Sequence, residues 1–375
     1  MALKYIGPDR PFSDIGSSSM EECIRWLGDT QVLGIDTETS GLDFTAEKLV
    51  MLQIGDQDVQ WCIDARYVDV SVLAPLLAER LCVGHNLKFD YCFLLNAGIR
   101  LNRIWDTMLA EQVLNCGKKD FGFGLDMVLK ERFGIVMADL SKGFTRMHGE
   151  QFSDAQLMYG ALDVEHLLPL MKAQHLQLKE QGLLNVMSLE NAACLAFADI
   201  EYNGLSMDVP MWLGISSEEQ KKLSPLRKEL DDMVLADPRF KPIIPAHVQG
   251  DLFDAPRRIT VSWDSPMQVL KVLRCLEPSL SAVNATDLFP FRNLPLVKKY
   301  IEYKETCKLV SSYGEEFLKQ RFSDGKVHTR FKQILNTGRV SSSEPNMQQL
   351  PAINKFRNCF ICEPASVYVS GDYAS

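Results

Sequence analysis

Val32, Leu33, Gly34 and Ile35 form a short apolar run with the length of a buried strand, and Asp36, Thr37 and Glu38 end it abruptly. Side chains alternate along extended backbone, so positions i and i+2 point the same way. Asp36 and Glu38 therefore present two carboxylates to one small volume. Like charges held that close call for a cation, and hard oxygen ligands select magnesium or manganese. Taken alone, D-x-E after a strand more commonly marks two solvated loop acids.

The rest of the chain supplies context. Its 375 residues suffice for two or three domains, each with its own core. Charged residues make up 24% and hydrophobic residues 46%, which argues against extensive disorder. A net charge of -9 argues against non-specific nucleic-acid affinity, so any such surface must be local. The ten cysteines follow no disulfide framework, and Cys359 with Cys362 is a lone C-x-x-C pair without a second pair to complete a zinc site. Structural thiols in a reducing cytoplasm are expected. The N-terminal segment lacks a charged-then-apolar signal pattern and no long uncharged apolar stretch occurs, so neither export nor membrane spanning is expected.

Further along, Leu49 to Gly55 and Val59 to Ile63 read as two strands joined by a polar turn, giving an antiparallel meander. Val72 to Leu81 reads as a helix and Leu81 to Val83 as a strand. A helix follows with Asn86 as its N-cap and Gly98 as its stop. Asp90 lies in that helix between Phe89 and Tyr91, where a charge is costly unless paired or metal-bound. A solvent-facing acid is the alternative. Leu125 to Phe133 reads as another helix. Ser153 to Gln156 form a capping box that opens a helix through about Leu178, with Tyr159 and Asp163 four apart on one face.

Three separated pieces thus appear in order: D-x-E at 36 and 38, N-x-x-x-D at 86 to 90, and Y-x-x-x-D at 159 to 163. The set resembles the tyrosine subclass of the DEDD 3′-5′ exonucleases, whose fold is ribonuclease H-like. That resemblance implies that Asp36, Glu38, Asp90 and Asp163 hold two Mg2+ or Mn2+ ions and that Tyr159 orients the attacking water. Two divalent ions would stabilise both the incoming and the leaving oxygens of a phosphodiester. A histidine base is then unnecessary, and His85 is expected to be structural.

Two later segments, TGRVSSSEPNMQQLP at 337 to 351 and VYVSGDYAS at 367 to 375, resemble motifs of the family A DNA polymerases, and the region 188 to 335 is similar to their thumb. The resemblance implies an α/β chain in three parts: a ribonuclease H-like exonuclease domain, a mixed sheet flanked by helices, at 1–187; an α-rich thumb-like region at 188–335; and the beginning of a palm at 336–375. It also implies that Arg339 contacts a primer-template duplex, that Gln348 lies near its minor groove, and that Asp372 is one of two palm carboxylates that bind metal. Gln349 and the Ala374-Ser375 pair depart from the family pattern. Between Lys298 and Arg339 ten Lys or Arg face five acids, which suits a surface that tracks phosphates as well as an ordinary solvated helix.

The sequence stops before the second palm carboxylate and the nucleotide-gripping fingers. The expectation is a fragment, either a truncated reading frame or the N-terminal half of a polymerase completed by another chain, that proofreads DNA 3′ ends and releases nucleoside monophosphates but does not polymerise alone. Val367 to Val369 would be a palm strand without neighbours. The reading further expects no 5′ nuclease ahead of the exonuclease, a layout similar to phage and some bacterial enzymes, and a bacterial or phage-infected cytoplasm. Two rival readings are a stand-alone RNA-trimming exonuclease similar to ribonuclease D, and a non-catalytic DNA-binding fragment.

Overall fold

The computed structural model describes residues 2–10, 13–115, 122–137, 144, 150–241, 261–320, 324–351, 354–369 and 371. They form two compact units, one of residues 1–205 and 322–349, the other of 206–321 and 350–375. These units differ from three consecutive segments divided after 187 and 335. A helix running to Asn203 packs on the first unit's sheet, and a hairpin far along the chain returns to that unit.

In the first unit the strands are β1 (Ala2–Ile6), β2 (Val32–Thr39), β3 (Leu49–Gly55), β4 (Val59–Asp64), β5 (Leu81–Gly84) and β6 (Arg103–Asp106). Their order in the sheet is β1-β4-β3-β2-β5-β6. β2 to β4 form the expected antiparallel meander, while β1 adds parallel to β4, and β5 and β6 run parallel to β2. The helices are α1 (Met20–Asp29), α2 (Ala74–Glu79), α3 (Leu87–Asn96), α4 (Thr107–Leu114), α5 (Leu125–Phe133), α6 (Asp154–Glu165), α7 (Leu167–Glu180) and α8 (Leu184–Asn203). A short hairpin of β7 (Arg330–Lys332) and β8 (Ser341–Ser343) completes the unit. Leu33, Ile35, Leu52, Ile54, Val83, Leu87 and Val164 are buried together between sheet and helices.

Several local expectations change. β2 extends through the acids, because Asp36 and Glu38 pair across to Gln53 and Met51 of β3 before a register shift after Glu38. The single helix expected from 153 to 178 is two, α6 and α7, parted at His166. Pro169 has no N–H for the Glu165 carbonyl and its ring crowds that carbonyl, so the break falls there. The capping box is formed as expected: Ser153 Oγ accepts from the Gln156 amide while the Gln156 side chain accepts from the Ser153 amide.

Two glycines seat α6 against the sheet. A Cβ on Gly34 would meet Val164 Cγ1 at 2.6 Å and the Val164 carbonyl oxygen at 3.1 Å; one on Gly160 would meet Gln53 Nε2 at 2.7 Å and Met51 Cε at 2.8 Å. Gly34 is in phase with Asp36 and Glu38, so this close approach lays α6 on their face of β2. Gly34→Ala is expected to destabilise the first unit by about 1–3 kcal/mol through overpacking, read as a lowered Tm in thermal unfolding. An unchanged Tm would show that α6 does not depend on that approach.

The second unit is helical: α9 (Val209–Ala236), α10 (Pro266–Leu273), α11 (Ala285–Leu288), α12 (Pro295–Tyr313), α13 (Glu315–Leu318) and α14 (Asn354–Arg357). α9 packs along α12. Leu226, Leu230, Trp263, Tyr300 and Tyr303 share one core, and Trp212 stacks on Phe317 at 4.5 Å with Phe356 edge-on at 4.9 Å. α12 ends at Tyr313, and α13 follows Gly314. Val367 to Val369 form no strand; Val367 and Val369 are 82% and 91% exposed, with no strand beside them among the described residues to pair with. No described helix is long and apolar enough to cross a membrane.

Candidate active site

The acids of β2 and the face of α6 meet at one place. One carboxylate oxygen from each of Asp36, Glu38 and Asp163 lies within 4.8 Å of the other two. Tyr159 lies one turn before Asp163, with its phenol beside that carboxylate. Phe144 flanks the phenol with ring centroids 6.2 Å apart.

Asp90 arrives from α3 and stands outside that close trio. It is buried, and the Thr37 hydroxyl donates to its Oδ1 at 2.5 Å. Thr37 alternates with Asp36 and Glu38, so Asp90 is bound from the opposite face of β2. Asp36 nevertheless repels it electrostatically. Strand alternation placed Asp36 and Glu38 together and the resemblance added Asp90 and Asp163; the structure brings Asp163 to the first two and sets Asp90 beside them.

Burial dominates the electrostatics. It pushes the Asp36 carboxyl up to about 7. Glu38 is pushed up to about 10, first by burial and then by Asp36, Asp163 and Asp90. Asp163 reaches about 8 by burial and repulsion from Asp36, with the Tyr159 phenol opposing the rise. Asp90 also lies well above the usual carboxylate range, from burial and Asp36, while the Thr37 hydroxyl pulls the other way. Burial and the surrounding acids raise the Tyr159 phenol as well. Four carboxylates that resist ionising together, with oxygen as the donor atom throughout, suit a hard divalent cation that would restore their charge.

His85 does not face this cluster as a base. Its Nδ1 lies 2.8 Å from Thr107 Oγ1 and its Nε2 2.8 Å from the Phe123 carbonyl oxygen, and burial holds its pKa below the ordinary value. Asn86 is in the left-handed region, with φ of 62°, and makes no side-chain cap, contrary to expectation. The Asn86 and Leu87 amides are instead accepted by Asp106 at 3.2 and 2.8 Å. Sequence reading passed over Asp106, although an aspartate followed by the apolar run Thr107–Leu114 is itself an N-cap signature.

A cavity of about 250 Å³ opens beside Asp90's helix in the first unit, lined by Leu42, Phe44, Asn86, Lys88, Phe89 and Arg330 among others. Lys88 Nζ is bonded to Glu201 and to the Phe331 carbonyl. Of the other expected nucleic-acid contacts, Arg339 is exposed. The Gln348 amide is engaged within its own hairpin: Oε1 accepts from Ser342 N at 3.1 Å and Nε2 donates to the Val340 carbonyl at 3.4 Å. Asp372 lies outside the described residues. In the second unit, Arg292, Lys298, Lys304 and Lys308 border a cavity of about 790 Å³. The basic surplus is partly neutralised, since Lys299 pairs with Glu229 and Glu302, and Lys319 with Glu316.

Residues 16–179 match the family model for a 3′-5′ exonuclease, and residues 264–375 match that for DNA polymerase family A. A DNA polymerase I of Aquifex aeolicus is 26% identical over 96% of this chain and 61% of its own length. One of Rhizobium leguminosarum is 27% identical over 93% of this chain and 38% of its own. The chain therefore spans less than two thirds of these relatives. Among solved structures, the POL domain of Pol1 from M. smegmatis in complex with DNA primer-template and dNTP superposes with a TM-score of 0.69 at 18% identity, over 96% of this chain and 59% of that one, a likeness of fold.

Proposed function

Because this chain belongs to the family A DNA polymerases and carries their 3′-5′ exonuclease domain, we propose that its first unit removes nucleotides from the 3′ end of single-stranded DNA by two-metal-ion hydrolysis. The observation that carries this reading is the convergence of the Asp36, Glu38 and Asp163 oxygens within 4.8 Å, beside Asp90 and against the Tyr159 phenol.

Asp36, Glu38, Asp90 and Asp163 are the groups that would hold two Mg2+ or Mn2+ ions. When bound, such ions offset the charge on the phosphate and lower the pKa of a coordinated water. Tyr159 stays protonated at working pH, since its pKa is raised, so it directs a water by hydrogen bonding and takes no proton. The cavity bordered by Leu42, Phe44 and Phe89, with Arg330 at its edge, suits an apolar base face and a phosphate of the 3′-terminal nucleotide.

Arg339 is proposed to contact a primer-template duplex, and Gln348 to lie near its minor groove through the hairpin that it braces. Asp372 is proposed as a palm carboxylate. The match of 264–375 to the polymerase family favours proofreading of DNA over trimming of RNA.

The test is digestion of 5′-labelled single-stranded DNA and RNA of one sequence, with Mg2+ or with EDTA. Stepwise 3′ shortening of DNA that requires metal is the expected result. Equal or faster loss of RNA would favour an RNA-processing enzyme, and intact DNA with folded protein would leave a DNA-binding fragment. Tyr159→Phe is expected to slow DNA cleavage about 10²-fold, the scale of losing a positioned reactant, with Mn2+ affinity by calorimetry unchanged. Loss of Mn2+ binding in that variant would refute the water-directing role.

A further inference from the structure

Asp106 is a buried carboxylate that the proposed reaction does not use, yet it is bonded to two helices at once. Its Oδ1 accepts from Met108 N at 2.8 Å and Leu109 N at 3.1 Å, capping α4, to which it belongs as N-cap. Such a cap satisfies a helix by itself. Here the same Oδ1 also accepts from Asn86 N at 3.2 Å, and Oδ2 accepts from Leu87 N at 2.8 Å, nineteen residues away at the first turn of α3.

The surroundings fix that arrangement. Gly84 of β5 and Asp106 of β6 are paired in the parallel ladder, so the turn entering α3 lies alongside Asp106. Thr107 Oγ1 donates to the Gly84 carbonyl at 2.9 Å, and Asp106 N donates to Asn191 Oδ1 on α8 at 3.0 Å. Asn86, between these contacts, holds a left-handed conformation that most L side chains avoid. Successive amides around such a residue form a concave anion site, and Asp106 fills it. Asp90 sits in the first turn of the helix so anchored, with its carboxylate bonded by Thr37. Its backbone is therefore located from β6 and its side chain from β2.

We propose that Asp106 is a positioning residue for the exonuclease reaction, holding the start of α3 so that Asp90 stands at metal-binding distance from the β2 acids. The inference rests on the metal-dependent reading of the site. Asp106→Asn tests it selectively. The amide oxygen can keep the α4 cap, whereas the amide NH2 then opposes the Leu87 N–H and releases α3.

The expected result is folded protein whose Mn2+ dissociation constant by calorimetry, and with it the Mg2+ half-saturation for cleavage, rises about 10-fold or more, the scale of losing a partner that orients a ligand. The rate at saturating Mg2+ should recover to within about threefold and the KM for the oligonucleotide should hold. Ser19→Ala, which removes the N-cap of α1, serves as the merely structural control and should leave the Mg2+ dependence unchanged. If Asp106→Asn does not fold, Thr107→Val, which loosens the same turn through Gly84, should shift Mg2+ half-saturation in the same direction. Wild-type Mg2+ dependence in the folded Asp106→Asn protein, or in Thr107→Val when that substitutes for it, overturns the proposal. Absence of metal-dependent cleavage in the unsubstituted protein would instead refute the exonuclease reading on which it rests.

Discussion

Asp36→Ala is expected to lower 3′-end cleavage of single-stranded DNA by about 10³-fold or more, a loss of about 4 kcal/mol of transition-state stabilisation. Asp36 is the acid that the electrostatics connect to each of the others: it raises Glu38, Asp90 and Asp163 alike. Removing it takes away a proposed ligand at the centre of the cluster. It should leave the fold largely intact, because in the metal-free protein the loss of its repulsion toward Glu38, Asp90 and Asp163 offsets the loss of its backbone hydrogen bond at Thr37. Single-turnover cleavage together with circular dichroism checks both halves of the expectation. Undiminished cleavage would refute the assignment of the site, and an unfolded variant would show that Asp36 has a structural role that its surroundings do not indicate.

Metal-free protein should lose stability as pH rises, and Mg2+ should restore it. The carboxyls of Asp36, Asp163 and Glu38 are raised to about 7, 8 and 10. A carboxyl whose folded pKa exceeds its unfolded value of about 4 binds its proton more tightly in the folded state. Its contribution is therefore complete below pH 4 and is lost as pH climbs through the folded value. Because the groups repel one another, the loss follows the cluster as a whole. In EDTA the Tm should fall by roughly 5–10 °C between pH 5.5 and 8.5. Millimolar Mg2+, binding only the folded site, should recover most of that at pH 8.5, and Asp163→Asn should flatten the pH dependence. A Tm in EDTA that is level or rising across that interval would contradict the burial of these acids.

Much of this site was legible beforehand because it depends on local periodicity. Strand alternation places Asp36 with Glu38, and helical spacing places Tyr159 with Asp163, whatever surrounds them. The meander of β2 to β4, the capping box at Ser153 and the helix over Leu125–Phe133 were readable for the same reason: each is written in neighbouring residues. Other features were not. The cap of α3 comes from Asp106 in place of Asn86, because the backbone at 86 is held left-handed by a group from β6. The strand expected at Val367 to Val369 is not formed, since a strand requires a partner and pattern alone does not supply one.

By itself, then, the sequence determined which acids share a face, where the chain turns, and the family resemblance that those motifs carry. Only the tertiary structure decided how the faces meet. Gly34 and Gly160 allow α6 onto the β2 acids, Thr37 holds Asp90 from the opposite side of the sheet, and Asp106 anchors the turn that presents it. Each of these is a contact between residues far apart in the chain, set by close packing and by the need to satisfy buried amides and carboxylates. Periodicity along the chain records neither.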